Sequence, residues 1–298
     1  MSEFASWMRT FVTVSDLESF SKAASVLGLT QSTVSRQIKA LEQHFGANLL
    51  TRTTRSFALT VEGLSFYESA QRALAAIDEA EAVVRSPECL SGVVRLTAPL
   101  TLARARIIPF IAEFQRAHPG LHVELKLSDH ALNLVADRLD FAIRVGEVGE
   151  SSNRTRRIGT ARRIAVASPD YLAKAGWPKS PPDLKDHNCI TFALLSTGNV
   201  WRFQGAEPVS IAGSFRTDSS DALRSAALCG LGIAVNARWL FEGDLAEGNL
   251  VEVLAEYPPV DMPISLVLPP SSYTATRVRA LADHLATRFH NDPLLRNE

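Results

Sequence analysis

Gln31, Ser35 and Lys39 stand four residues apart, and Ser32 stands four before Arg36. At 3.6 residues per turn this spacing gathers them on one side of a helix. Their chemistry is recognition rather than catalysis, because the set is short polar groups and cations with no acid among them. A glutamine amide matches the donor–acceptor edge of adenine, arginine takes guanine or a phosphate, and a serine hydroxyl takes either. Lys39, deeper along the helix, is better placed for phosphate. Any solvated helix face carries some lysine and arginine, so this one acquires meaning only from the elements that present it.

The opposite side of the same stretch supplies the first of those elements. Val34, Ile38, Leu41 and Phe45 recur in steps of four, three and four, an apolar stripe for burial. Thr30 offers an N-cap, Gly46 a left-handed end, and Glu42 is the stretch's only acid, near the far end. Upstream, residues 4–15 read as a first helix with Phe4, Met8, Phe11 and Val12 or Ser15 inward. Ser19 or Ser21 caps a second, short helix through Phe20, Ala23, Ala24 and Leu27, ended by Gly28. Small alanines let such helices pack closely and cross steeply, the helix-turn-helix arrangement, in which the second helix is free to enter a major groove. "NLLTRTTRSFALT" then reads as a hairpin wing.

Thr60 caps a long helix to about Val84, with Glu62 favourably placed in its first turn. Tyr67, Ala70, Leu74, Ile77, Glu81 and Val84 alternate in steps of three and four. That spacing predicts a short coiled-coil seam between two copies, against the plainer alternative of a helix packed on its own domain. "SPECLSG", residues 86–92, is the expected linker.

The chain has 298 residues, suited to two or three domains, and an ordinary globular composition of 46% apolar and 21% charged residues. Its 31 basic and 32 acidic side chains nearly cancel, but locally they do not. Residues 31–60 hold Arg36, Lys39, Arg52 and Arg55 against Glu42, a net of plus three. Residues 61–90 hold Arg72 and Arg85 against six acids, a net of minus four. Cys89, Cys189 and Cys229 are too widely spaced for a paired pattern, which disfavours disulfides and CxxC metal sites. The N-terminus lacks a signal-peptide pattern, and no apolar run approaches the roughly 18 residues that span a bilayer. A cytoplasmic protein without a membrane partner is expected.

Beyond the linker, strands and helices alternate. Strands are expected at 93–98, 121–127, 139–145, 163–168, 209–216, 231–235 and 263–268. Helices are expected at 101–116, 130–137, 169–175, 219–229 and 273–290. Repeated βαβ units predict mostly parallel sheet, and about 200 residues of it predict two α/β lobes with a cleft between them. In such sheets ligands gather at the carboxyl ends of strands, where helix N-terminal N–H groups are unpaired. Thr101 is placed to cap the helix after the first of these strands and also to contact a ligand. Ser128 and Arg144 end strands, and Thr217, Asp218 and Ser219 precede a helix. Thr101 and Ser219 have the alternative of being caps only, and Arg144 that of a structural ion pair. Leu100 and Phe192 would supply apolar lining.

"SFSKAASVLGLTQSTVSRQIKALEQHFGANLLTRTTRSFALTVEG" resembles the winged helix-turn-helix signature of the LysR-type transcriptional regulators nearly position by position. "LDFAIRVG", "VASPDYLAKAG" and "ALRSAALCGLGIAV" resemble that family's effector-binding domain and occur in the right order. The resemblance covers almost the whole chain. Overall it implies an α+β protein with a winged helix-turn-helix at 1–60 and a linker and dimerisation helix with hinge at 61–91. A two-lobed, periplasmic-binding-protein-like α/β domain would follow at 92–298, lobe I being about 92–161 with 265–298 and lobe II about 162–264. It further implies that Gln31, Ser32, Ser35, Arg36 and Lys39 read DNA, with Arg52 and Arg55 of the wing on backbone or minor groove. Pro99, Leu100 and Thr101 would contact an effector. Tyr67, Ala70, Leu74, Ile77 and Val84 would hold a dimer, and assembly to a tetramer is common in the family. The implied partners are double-stranded, partly palindromic operator DNA, a small-molecule effector and, for an activator, RNA polymerase. No cofactor or metal is implied. Ser32 stands where the family commonly has proline, Glu18 where it has glycine, and Asn236 where proline usually follows "GLGIAV".

Other motifs dissolve on inspection. "GLGIA" follows a helix and precedes a strand, the reverse of a dinucleotide-binding loop. His118 and His122 are separated by Pro119-Gly120 and cannot form a helical metal pair. "RTRRIGTARR", 154–163, with its five arginines, reads as an exposed strand pair near the crossover between lobes rather than a second nucleic-acid site. No GxSxG, HExxH or P-loop pattern occurs. Two other classes stay in view: a solute-binding or carrier protein with a vestigial helical head, and, more remotely, an enzyme. Salt-dependent DNA binding separates the regulator from both.

Overall fold

The computed structural model describes residues 3–17, 19–53, 56–84, 90–149, 153–269 and 274–295. The chain forms two compact units: residues 1–89 with 272–276, and residues 90–271 with 277–298.

In the first unit, α1 (Glu3–Leu17), α2 (Phe20–Leu27) and α3 (Gln31–Phe45) pack around Phe11, Val14, Ala23, Ala24, Val34, Ile38 and Leu41. Local signals set the ends. Ser19 Oγ accepts Lys22 N–H and Thr30 Oγ1 accepts Thr33 N–H, while Gly28 and Gly46 end their helices at φ 64° and 65°. The wing is the antiparallel pair β1 (Leu50–Thr53) and β2 (Ser56–Leu59), Leu50 opposite Leu59. Glu42 anchors it, its Oε1 accepting the N–H groups of Leu49 and Leu50 at 2.9 and 3.2 Å. The lone acid of the α3 stretch is therefore a fastener for the wing.

The long helix α4 (Val61–Val84) starts at the expected cap, with Gly63 N–H donating to Thr60 Oγ1 at 2.9 Å. Its apolar stripe is not a free seam. Ala70 and Leu74 are 1% and 7% exposed and pack on Ala5 and Met8 of α1, with half-buried Ile77 beside them. Tyr67, 2% exposed, belongs to the core of α1–α3, and its hydroxyl donates to Asp16. Tyr67, Ala70, Leu74 and Ile77 thus pack within one chain, the plainer of the two alternatives for this stripe. The side chain of Val84 lies outside the described residues. The exposed face of α4 carries instead Val61 (84% exposed), Leu64, Ser65, Ser69, Arg72 and Ala76.

The second unit contains two five-stranded sheets, one per lobe. The first has β4 (Leu121–Leu127), β3 (Gly92–Ala98), β5 (Phe141–Val145), β14 (Met262–Leu268) and β6 (Arg154–Ala161) in that order. The second has β11 (Arg216–Thr217), β8 (Cys189–Phe192), β12 (Ile233–Ala237), β7 (Arg163–Ala167) and β13 (Val251–Val253). Neither is as uniformly parallel as expected. β14 runs antiparallel to β5 and β6, and β7 antiparallel to β12 and β13, because the chain crosses between lobes at Arg162 and returns before Met262. Helix α7 (Pro169–Ala175) follows β7, and a C-terminal helix, α10 (Thr276–Asn291), buries Val278, Leu281, Leu285 and Phe289.

Local expectations fail in several places among the described residues. Residues 130–137 form no helix: Asn133 Oδ1 accepts the N–H groups of Val135 and Ala136, closing a side-chain-led turn, and Arg138 takes a left-handed φ of 54°. Strand 209–216 is two fragments, β10 (Val209–Ser210) pairing with β9 (Val200–Trp201), and β11 pairing with β8. β8 itself was not expected. The arginine-rich β6 is exposed over Arg154–Arg157 only, and it pairs with β14, not with β7.

Candidate functional site

Two sets of residues converge, one in each unit. On α3, Gln31, Ser32, Arg36 and Lys39 are exposed and Ser35 is half-buried, while Val34, Ile38 and Leu41 are buried on the other side. Phe45, expected in the same buried stripe, is instead 45% exposed at the helix end, where its ring meets Phe4 and Phe66. Ser32 Oγ lies 2.9 Å from Thr30 Oγ1, so the serine joins the cap network where a proline would have no hydroxyl to offer. Arg55 and the side chain of Arg52 lie outside the described residues, as does Glu18. Exposed cations on a helix held by a helix-turn-helix can meet a phosphate backbone without a conformational change.

In the second unit, Asp129 and His130 after β4 join the segments after β3 and β11, and Arg144 of β5 reaches His130. A continuous helix, 100–117, follows β3: α5 (Leu100–Leu102), a π-helical stretch Ala103–Ile107, and α6 (Ile108–Ala117). Pro99 holds its N-cap position with no side-chain hydrogen bond, and Leu100 is exposed. Thr101 is buried in the first turn, so the capping role expected for it is corrected. Ser128, half-buried, donates its N–H to Ala98 O at 3.0 Å, and its Oγ accepts His130 N–H at 3.1 Å. From the other lobe, Phe192 lies half-buried opposite Thr217, and Thr217 Oγ1 accepts Ser219 N–H. Ser219 does cap its helix, α8 (Ser220–Leu228), accepting Ala222 N–H at 3.3 Å. Asp218 is exposed, and its Oδ2 stands 3.2 Å from His130 Nε2 across the lobes.

Arg144 is the cation of this place. Its Nη1 donates to His130 O at 2.7 Å, while its Nη2 is buried without a partner among the described residues. Burial pushes the guanidinium below its ordinary pKa, and no carboxylate pairs with it among the described residues. The ion-pair alternative therefore gives way to a partly desolvated donor with spare capacity.

Sequence reasoning missed two residues here. Asp129 Oδ1 accepts Leu100 N–H at 3.3 Å and its Oδ2 accepts Ser220 N–H at 3.2 Å, joining the lobes through one carboxylate. His130 touches both Arg144 and Asp218. The only advance signal was their position after a strand, since an Asp-His pair reads as ordinary surface. Further bridges run from Arg106 Nη2 to Glu242 at 3.4 Å, with Arg106 Nε on Asp292 at 2.8 Å. Among the described residues no His, Cys, Asp or Glu cluster could hold a metal ion, and no helix is long and apolar enough to cross a membrane.

Comparison with known proteins agrees with this division. Residues 5–64 match the family model described as the bacterial regulatory helix-turn-helix protein, lysR family, and residues 88–290 that described as the LysR substrate binding domain. "HTH-type transcriptional regulator CrgA" of Neisseria meningitidis serogroup C (strain 8013) is 36% identical over 252 residues, 84% of either chain. "Uncharacterized HTH-type transcriptional regulator YhjC" of Escherichia coli (strain K12) is 33% identical over 285 residues, 94% of this chain and 95% of the relative. Among solved structures, CrgA from Neisseria meningitidis superposes with a TM-score of 0.60 at 34% identity, covering 95% of this chain and 97% of that one. The full-length Vibrio cholerae virulence activator AphB gives 0.58 at 27% identity, covering 95% and 98%.

Proposed function

Because the chain belongs to the LysR family of DNA-binding transcriptional regulators with an effector-binding domain, we propose that it reads a partly palindromic operator through α3 and answers to a small anionic metabolite. Gln31, Ser32, Ser35 and Arg36 address base edges, Lys39 a phosphate, and Arg52 and Arg55 the backbone or minor groove beside the wing. The observation that carries the reading of α3 is its division between buried Val34, Ile38 and Leu41 and exposed Gln31, Ser32, Arg36 and Lys39. Self-association as a dimer, extending to a tetramer, uses the exposed face of α4 around Val61 and Leu64. An activator would add contact with RNA polymerase. The working compartment is the cytoplasm, where operators are.

Arg36→Ala is expected to weaken operator binding without loss of fold, since the side chain is exposed. A base contact would cost about 1–3 kcal/mol and relax one operator position; a phosphate contact would weaken all sequences alike and lower the salt slope by about one. Footprinting of the region upstream of its own gene at two salt concentrations reads which. Unchanged affinity at both removes Arg36 from the interface.

The effector site lies among Pro99, Leu100, Thr101, Ser128, Arg144, Phe192, Thr217, Asp218 and Ser219. What supports an anion there is Arg144 Nη2, buried without a partner among the described residues, next to the His130 loop that reaches Asp218 of the other lobe. A carboxylate on Arg144 would form a charge-assisted bond, roughly twice as strong as a neutral one. Leu100 and Phe192 would line the apolar remainder. Arg144→Ala and Thr101→Ala are expected to lose the effector response while operator binding persists, because head and sensor are separate units. A thermal-shift screen against organic acids, repeated on both variants, tests this. A ligand bound equally by wild type and both variants would place the site elsewhere.

A further inference from the structure

Leu100 and Ser220 are the first residues of two helices in different lobes, and each backbone N–H is one that its own helix cannot satisfy. Both are satisfied by the same side chain. Asp129 gives one carboxylate oxygen to each, at 3.3 and 3.2 Å, from sequence separations of 29 and 91 residues. Ser219 already caps the third residue of α8, whereas Pro99 offers helix 100–117 no side-chain cap. Asp129 therefore supplies helix 100–117 with its side-chain cap and α8 with a second one, and it supplies both only while the lobes are together. From this shared capping we propose that Asp129 is a clasp between the lobes, which holds the cleft closed until an entering ligand displaces its carboxylate.

Neighbouring contacts favour a clasp that can open. His130–Asp218 crosses the same gap between exposed side chains, and Arg104–Asp221 does so at 4.0 Å, so both are well solvated. Asp129 differs in being half-buried and in bonding backbone, which fixes its geometry. Resting on the effector site proposed above, the clasp adds a rule: a ligand carboxylate at these two N–H groups and the Asp129 carboxylate exclude one another. Effector binding would then exchange an internal anion for an external one, and the lobes would respond to how far the newcomer reaches.

Hydrogen exchange on the full chain, read over segments 98–104 and 217–224, tests the clasp without knowledge of the effector. Asp129→Ala is expected to speed exchange in both segments together, by about fivefold as loss of a cap implies. Asp129→Asn has one amide oxygen in place of two carboxylate oxygens, and is expected to protect one segment and release the other. Wild-type exchange at 217–224 in the Ala variant overturns the clasp, as does release of 98–104 alone. Sodium acetate then serves as the probe anion. It is expected to slow both released segments of Asp129→Ala and to leave wild type unchanged at the same concentration. Release of both segments with no acetate effect leaves the clasp standing and counts against an anionic effector, so the two readings fail separately.

Discussion

Leu74→Glu is expected to unfold the N-terminal unit rather than to separate a pair of folded subunits. Leu74 is 7% exposed and packs with Ala5, Met8 and Ala70, against half-buried Phe4, Val12, Phe66, Ala73 and Ile77. Losing a buried leucine costs about 2–5 kcal/mol before any charge is considered. The glutamate must then either stay ionised in apolar surroundings or take up a proton, at about 1.4 kcal/mol per unit of pKa shift. A total of about 4 kcal/mol or more is a large fraction of the roughly 5–15 kcal/mol that holds a domain together. Heating followed by far-ultraviolet circular dichroism should show the helical head melting early, with operator binding lost as a consequence. Val61→Glu is the matched control: at 84% exposure it should keep the head folded. If instead Leu74→Glu melts like wild type and sediments at half its mass, Leu74 lies at a subunit interface after all.

The apolar stripe of α4 shows what periodicity can and cannot say. Steps of three and four along Tyr67, Ala70, Leu74 and Ile77 state that one face is apolar, but not what covers it. In the chain the cover is α1, more than 50 residues upstream in sequence, as the bond from Tyr67 to Asp16 records. Helix ends, by contrast, were legible in Ser19, Thr30, Thr60, Gly28 and Gly46, because a cap bonds groups three or four residues away. Residues 130–137 misled for the same local reason run backwards. Asn133 bonds forward to Val135 and Ala136, and a two-residue bond defeats a helical pattern that the apolar spacing alone allows. The antiparallel return of β14 depends on pairing with β5 and β6, over a hundred residues away, and no local signal reports it.

The sites divide along the same line. The α3 face was readable because a single helix presents it. In the second unit, the strand-end rule offered Thr101, Ser128, Arg144 and Thr217–Ser219 as candidates and the family resemblance added Pro99 and Leu100, since the rule needs only the order of strands and helices. It passed over Asp129, whose role exists only because two helix starts from different lobes come to the same carboxylate. Glu42 escaped likewise: an acid near the end of a basic helix looks unplaced until Leu49 and Leu50 fold back onto it.

Gly63→Ala is expected to destabilise the head, against the ordinary helical preference, and here two opposed effects can be weighed. Alanine in place of glycine within a helix normally gains about 1 kcal/mol. At Gly63, however, an added Cβ would stand 2.0 Å from Leu49 O, 2.9 Å from its carbonyl carbon and 3.2 Å from its Cα. Those are backbone atoms with no rotamer to give way. The same carbonyl accepts Thr60 N–H at 3.1 Å, and Thr60 Oγ1 both donates to Asn48 O and accepts Gly63 N–H. A shift of α4 away from Leu49 would therefore strain the cap and the base of the wing together. Forced backbone movement of this kind costs about 1–3 kcal/mol or more, to which broken bonds add about 1 each, so a net loss of at least 2 kcal/mol is expected. Gly243, inside α9 (Glu242–Glu247), supplies the opposite case, because a Cβ there meets nothing within 4 Å and should show the bare helical gain. Thermal unfolding of the two variants side by side should thus give shifts of opposite sign, with operator affinity falling only for Gly63→Ala. Equal upward shifts would mean that α4 does not approach Leu49 this closely.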